Sequence, residues 1–431
     1  MAVSDDMLVL IGDDEAAMLG RRSDGVLTIA YRPEYASRPD ATPLSRSLPL
    51  TVLHQQSGNV ESFFRGLLPE NPELLAGLAF DAGTSTRDVL GLLVHVGDDL
   101  PGAVRVRRHG NPSTGDGGVE WISLDEVASR LASLTNSQSR AAGGYPHGRW
   151  SLAGAQAKLA LRSEDGRWGI PWGIEPTTHI LKPAIPGFGD FDLHEAVVTR
   201  GARLLGMSVA GSSLLALPDG SHAFATERYD RDRDASGRIV RVHQEDLCQA
   251  LGVPAWQKYE QQGGPGVTRI SGLLASLSTE AAASSAQRFF DALAFNYAIG
   301  GTDAHARNYS ILLSGGASTL APLYDLNSAL PFTRPDGVRF AGLSKLHSAM
   351  RIGSTDAFTR IGEADWTACA QGLGLDPGMA LDRLRTILRQ VPMALTSAAG
   401  AIREESGVDP IVDWEHLVGK YHQSLRIKAV D

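Results

Sequence analysis

Cysteine is almost missing from this 431-residue chain: there are two, Cys248 and Cys369, far apart and each in a helix-like context. Such thiols read as buried and reduced, which favours a cytoplasmic protein, and no Cys/His cluster exists to hold zinc. Long hydrophobic runs are missing too. Nothing approaches the roughly 18 consecutive apolar residues of a membrane span. The start, with Asp5 and Asp6, lacks the basic-then-apolar pattern of a secretory signal. Basic charge is in short supply: 40 Lys and Arg against 49 Asp and Glu give a formal net charge of −9. Broad contact with a nucleic-acid backbone needs clustered Lys and Arg and is not expected; a local basic patch, or DNA binding through a basic partner, stays open. There is no HExxH and no GK[ST], which removes the zincin helix and the Walker A loop. There is no internal repeat.

What is present suits a globular protein of two or three domains or lobes, with 43% hydrophobic and 21% charged residues. Residues 7–12 and 25–30 read as strands and 60–68 as a helix that Pro69 and Pro72 interrupt. Residues 110–118 and 141–149 are loop-like by composition. Strand signals return at 158–162, 178–182, 212–217 and 223–229, with a helix over 195–205 between them. The charge run at 230–237 reads as a polar hairpin or connecting loop in solvent. Beyond 242 the pattern turns helical: Phe289, Phe290, Leu293 and Tyr297 mark one apolar face over 281–299, and Leu381, Leu384, Leu388 and Val391 mark another. The expected fold is α+β and two-lobed, with an N-terminal subdomain at 1–110, an α/β lobe at 111–241, an all-helical lobe at 242–431, and a cleft between the lobes.

One constellation carries chemistry. Asp303, then Asn308 five positions on, then Asp325 is the order in which kinases place a base facing the acceptor hydroxyl and two oxygen donors for magnesium. Magnesium keeps water and takes phosphate oxygens, so one Asn and one Asp suffice as protein ligands. His305 beside Asp303 also suggests a phosphohydrolase metal site, but no further His or Cys joins it. Asp, Asn and Ser are common in plain loops, so the spacing is weak by itself. Order strengthens it. Residues 151–158, with Gly154 and Lys158, could bring backbone N–H groups to phosphate oxygens. Lys182 ends an apolar strand, where a lysine must snorkel outward or meet an anion. Glu195 is its best-placed partner, with a surface helix charge as the plainer alternative. Glu227-Arg228-Tyr229 then stands where a kinase hinge hydrogen-bonds adenine.

These same residues resemble the HipA family, serine/threonine-kinase toxins of bacterial toxin–antitoxin pairs. The matching runs are Ser151 to Lys158, Pro176 to Lys182, Glu227 to Asp230, Gln244 to Gln249, Lys258-Tyr259-Glu260 with Gly263 to Gly266, Gly301 to Ser310, and Pro322 to Asp325. Phe63 to Asn71 resembles the family's N-terminal subdomain. The resemblance implies a phosphoinositide-kinase-like fold, with Asp303 as catalytic base and Asn308 and Asp325 holding Mg2+. It implies Lys182 on the ATP phosphates and a phosphate loop of Ala153, Gly154, Ala155, Gln156, Ala157 and Lys158. Adenine would be held by Glu227, Arg228 and Tyr229, and the nucleotide lined by His305, Ala306, Arg307 and Asn308. It further implies self-inactivation by phosphorylation of Ser151, an aminoacyl-tRNA synthetase as protein substrate, and a helix-turn-helix antitoxin of the HipB type that contacts operator DNA. Ala157 departs from the family, where a glutamate is common. A catalytically silent co-repressor and a small-molecule kinase are the alternatives.

Overall fold

The computed structural model describes residues 6–110, 117–135, 154, 156–185, 187–332, 342, 345–410 and 412–428. The N-terminal part is an antiparallel sheet in the order β4-β3-β2-β1-β5, from β1 (Met7–Ile11), β2 (Asp14–Arg21), β3 (Leu27–Tyr31), β4 (His54–Gln55) and β5 (Val104–Arg108). Alternation turns Val9, Leu19 and Ile29 inward, where they meet Phe63, Phe64, Leu92 and Leu93 from the helices Gly58–Gly66 and Val89–Val96.

A second antiparallel sheet follows, in the order β10-β11-β9-β7-β8-β6: β6 (Gly117–Ile122), β7 (Leu159–Glu164), β8 (Arg167–Gly173), β9 (His179–Pro183), β10 (Ser212–Ala216) and β11 (His222–Glu227). The period of two decides what β9 does. Leu181 packs with Leu159, Leu161, Ala223 and Ala225 on one face, so Lys182 points to the other, beside its cross-strand partner Phe224. The helix Phe191–Leu204 lies against that sheet and begins four residues before the stretch predicted from sequence.

The C-terminal part centres on Thr279–Ile299, whose Phe289, Phe290, Leu293 and Tyr297 are buried, and on the 30-residue helix Pro377–Ser406. The latter packs on both Thr279–Ile299 and Phe191–Leu204. At Gly201 a Cβ atom would stand 2.4 Å from the Leu395 Cδ2 methyl, so the helices approach closely enough that any side chain there would displace Leu395, and Arg200 bridges Glu405 at 2.5 Å. This lobe is not wholly helical. It holds a three-stranded sheet of β14 (His243–Asp246), β15 (Ser310–Ser314) and β16 (Ala317–Leu320), strands too short to announce themselves against the helical pattern around them.

The charge run at 230–237 starts the hairpin of β12 (Arg231–Arg233) and β13 (Ile239–Arg241), and Asp232, Arg233 and residues 235–237 are exposed as expected of a solvated polar hairpin. Its start departs from that reading: Asp230 and the Arg231 side chain are buried. Asp99 of the N-terminal part accepts from Arg228 at 3.1 Å and from Arg231 at 2.8 Å, while Arg228 also clasps Asp230 at 2.9 Å. Burial alone would raise the Asp99 carboxyl, but Arg228, Arg231 and Arg241 around it hold it well below the usual carboxylate range. Opposite charges thus let the first side chains of the run go inside. A second seam joins Ser45 and Ser47, which donate to Gln249 O at 3.2 and 2.8 Å, and Arg46, whose N–H donates to Glu245 at 2.8 Å.

Burial pushes the Glu245 carboxyl up to about 8, and its second oxygen has no partner among the described residues. The folded chain therefore holds this proton where the unfolded chain has released it. The stability that this group contributes is expected to fall as the pH rises from 4.5, the ordinary glutamate value, to about 8. The thermal midpoint of wild type relative to Glu245→Gln should fall across that range; a difference that does not change with pH would refute the assignment.

Candidate active site

A cavity of about 630 Å³ opens between the β9 sheet and the C-terminal lobe. On its upper wall the Lys182 ammonium sits 2.6 Å from Glu195 and 2.7 Å from Asp325. Glu195 is no surface charge: its side chain is 0% exposed. Burial pushes its carboxyl up to about 7 despite Lys182, whereas Lys182 and Lys158 hold Asp325 well below the usual range against its own burial. Lys182 is itself driven upward, since the two carboxylates outweigh its burial. Lys158, close by, is pushed down to about 8 by burial and by Lys182. Asp325 has φ of +57°, a left-handed conformation that a non-glycine residue rarely takes.

Opposite stands the catalytic-loop candidate. It follows directly on Thr279–Ile299, which ends at Gly300 with φ of +62°. Asn308 donates through Nδ2 to the Asp303 carbonyl at 2.7 Å, which leaves the amide oxygen as its acceptor atom. The Tyr259 hydroxyl donates a short hydrogen bond to the Asp303 carboxylate, which is half exposed at the mouth of the cavity. Burial raises the proton affinity of Asp303, while Tyr259 and Lys258 act against it. His305 packs edge-on against Tyr259, and burial pushes it down to about 4, so it is neutral.

The structure thus brings together Gly154, Gln156, Ala157, Lys158, Lys182, Asp303, His305, Asn308 and Asp325 around one cavity. Ser151, Ala153 and Ala155 lie outside the described residues. At the hinge, Glu227, Arg228 and Tyr229 all border the cavity, and Tyr229 stacks on Tyr324. The Glu227 and Arg228 amides already donate to Gly211 and Thr178, and the Arg228 guanidinium is committed to the Asp99 network. Arg307 borders the cavity too, but its guanidinium holds Asp246, Gly66 O and Glu70. Ala306 is buried, with its N–H on Lys258 O. Sequence reasoning assigned no role to Glu70, Lys258, Tyr259 or Asn327, which all line the site or touch its residues. Glu70 and Lys258-Tyr259 stood inside family-like runs, yet no spacing rule says that segments 188 positions apart meet.

A lysine–glutamate pair under a two-lobed cleft, facing an Asp/Asn loop and a second aspartate, defines the kinase class. Comparison with known proteins narrows this. Residues 7–107 match the HipA N-terminal domain and residues 150–396 the HipA-like C-terminal domain. The "Putative kinase Y4mE" of Sinorhizobium fredii is 35% identical over 84% of this chain and 83% of its own length. The serine/threonine-protein kinase toxin HipA of Shewanella oneidensis is 29% identical over 82% and 80%. A solved structure of HipA from that organism, in complex with HipB and operator DNA, superposes with a TM-score of 0.80 at 24% identity, over 97% of this chain and 96% of that one. The chain belongs to the HipA family of serine/threonine-kinase toxins.

Removing one partner of a buried ion pair strands the others. Lys182→Met is expected to lower the unfolding free energy by about 3 kcal/mol. Adding Glu195→Gln should restore part of it, because the neutral amide needs no counter-charge. Denaturant unfolding of both variants measures this; equal stability of wild type and Lys182→Met would show that the pair carries no net weight.

Proposed function

We propose that this chain is an ATP- and magnesium-dependent serine/threonine-protein kinase that acts as the toxin of a toxin–antitoxin pair. The observation that supports it most is the convergence of Lys182–Glu195, Asp303, Asn308 and Asp325 on one cavity large enough for a nucleotide. Lys182 would hold the ATP phosphates, with Glu195 fixing its direction. Lys158 and the Gly154 region would lie along the same phosphates. Gly154 has φ of +108° and a Cβ there would stand 2.8 Å from Lys158 Nζ, so a side chain would close this approach.

The acceptor hydroxyl would approach Asp303, which takes its proton as the oxygen bonds to the γ-phosphorus and the bond to the β-phosphate oxygen breaks. The donor set fits magnesium: Asn308 and Asp325 offer hard oxygens, and their small number suits an ion that completes its shell with phosphate and water. Bound there, the ion would neutralise phosphate charge.

For the substrate, the family resemblance supports an aminoacyl-tRNA synthetase, whose phosphorylation would arrest translation. It equally supports a helix-turn-helix antitoxin as partner, through which operator DNA would be reached. Autophosphorylation of Ser151 would add about 1.5 to 2 negative charges to the phosphate loop and oppose ATP there.

The test is incubation of the dephosphorylated protein with ATP and Mg2+, alone and with a cell extract, followed by phosphosite mapping. Label on Ser151 and on one extract protein is expected. Asp303→Asn should lose transfer by at least about 100-fold while still binding ATP. Wild-type protein that binds ATP and transfers nothing would refute the kinase reading and leave a silent binding module. Transfer to a metabolite alone would make it a small-molecule kinase.

A further inference from the structure

The N-terminal subdomain places the carboxylate of Glu70 beside the reaction centre. Glu70 follows the helix Gly58–Gly66, and its carboxylate is divided between two cations of the C-terminal lobe. One oxygen accepts from Lys258 Nζ at 2.8 Å and the other from Arg307. Each cation is the immediate neighbour of a residue that faces the chemistry. Lys258 precedes Tyr259, whose hydroxyl holds the Asp303 carboxylate. Arg307 precedes Asn308, whose amide is anchored on the Asp303 carbonyl. The Lys258 carbonyl also accepts from the Ala306 N–H at 3.3 Å, tying the two strips of chain together. The backbone of the same segment is engaged elsewhere: the Glu70 N–H donates to Gly154 O at 3.2 Å, and Pro69 forms an isolated parallel bridge with Gly154.

We propose that Glu70 is a positioning residue for phosphoryl transfer, which makes the N-terminal subdomain part of the catalytic apparatus of the HipA-type cleft. The inference rests on the kinase reading given above. A carboxylate wedged between Lys258 and Arg307 fixes both strips of chain that aim Asp303 and Asn308: the one that carries Tyr259 and the loop that ends at Asn308. Its backbone simultaneously docks Gly154 on the phosphate side. The ATP phosphates are held by Lys182 and the sheet above, so loss of the Glu70 charge disturbs the aim of the base and leaves nucleotide affinity in place.

The test follows label from ATP into protein at graded ATP concentrations, using the full-length chain in the cell extract described above. Glu70→Gln keeps the shape and removes the charge. The limiting rate is expected to fall roughly ten- to a hundredfold, the scale of a misplaced catalytic group. The half-saturating ATP concentration and the affinity for a fluorescent ATP analogue should stay within about threefold, a factor that leaves the binding free energy nearly unchanged. Lys258→Met reports independently, and the double variant should lose less than the product of the two single losses, because both act through one contact. Three outcomes overturn the proposal: an unchanged limiting rate in Glu70→Gln, a loss of ATP affinity that accounts for the whole fall, or losses that multiply in the double variant. If Glu70→Gln fails to fold, Lys258→Met, with its limiting rate and ATP affinity measured in the same way, decides alone. Absence of label with the wild-type chain refutes the kinase reading, and the role of Glu70 falls with it.

Discussion

The ammonium of Lys182 between two carboxylates is the interaction around which the cleft is organised. It joins three separate pieces of chain: β9, the helix Phe191–Leu204 and the loop of Asp325. A cation with this little solvent would be costly without both partners, and either carboxylate would be costly without the cation. The two are not equivalent. Glu195 is fully enclosed, with one oxygen unpartnered among the described residues, while Asp325 stays partly open to the cavity. One end of the junction is therefore a fixed strut and the other faces the space where a phosphate and its ion would come.

Around this centre polar contacts join the N-terminal subdomain to the rest at two seams. The Asp99–Arg228–Asp230–Arg231 network ties it to the hinge segment, and Ser45 to Ser47 tie it to Glu245 and Gln249. Hydrogen bonds and ion pairs of this kind fix register and direction, which a greasy interface would leave looser. The hinge and the catalytic loop each carry an arginine, Arg228 and Arg307, whose side chain faces this subdomain while the neighbouring residue faces the cavity.

Local periodicity was readable where a single element decides the outcome. The apolar strand that Lys182 ends marked a lysine that must leave for solvent or meet an anion, and the apolar stripe of Phe289, Phe290, Leu293 and Tyr297 marked a buried helix. Glu195 was harder, because a helix charge looks alike whether it meets solvent or a lysine from another strand. Asp230 and the buried Arg231 side chain misled for a related reason: alternating charges signal water unless their partners are known, and for Arg231 that partner is Asp99, 132 positions away. The roles of Glu70 and Tyr259 lay beyond reach, since they exist only once distant segments are folded together.

The helix that carries Glu195 packs closely on Pro377–Ser406, with Gly201 against Leu395 and Arg200 on Glu405. In a kinase whose glutamate helix is loosely held, swinging that helix outward disarms the enzyme. Here such a swing would have to break the packing of that helix on the C-terminal lobe. The lysine–glutamate pair is thereby braced from the far side of its own helix.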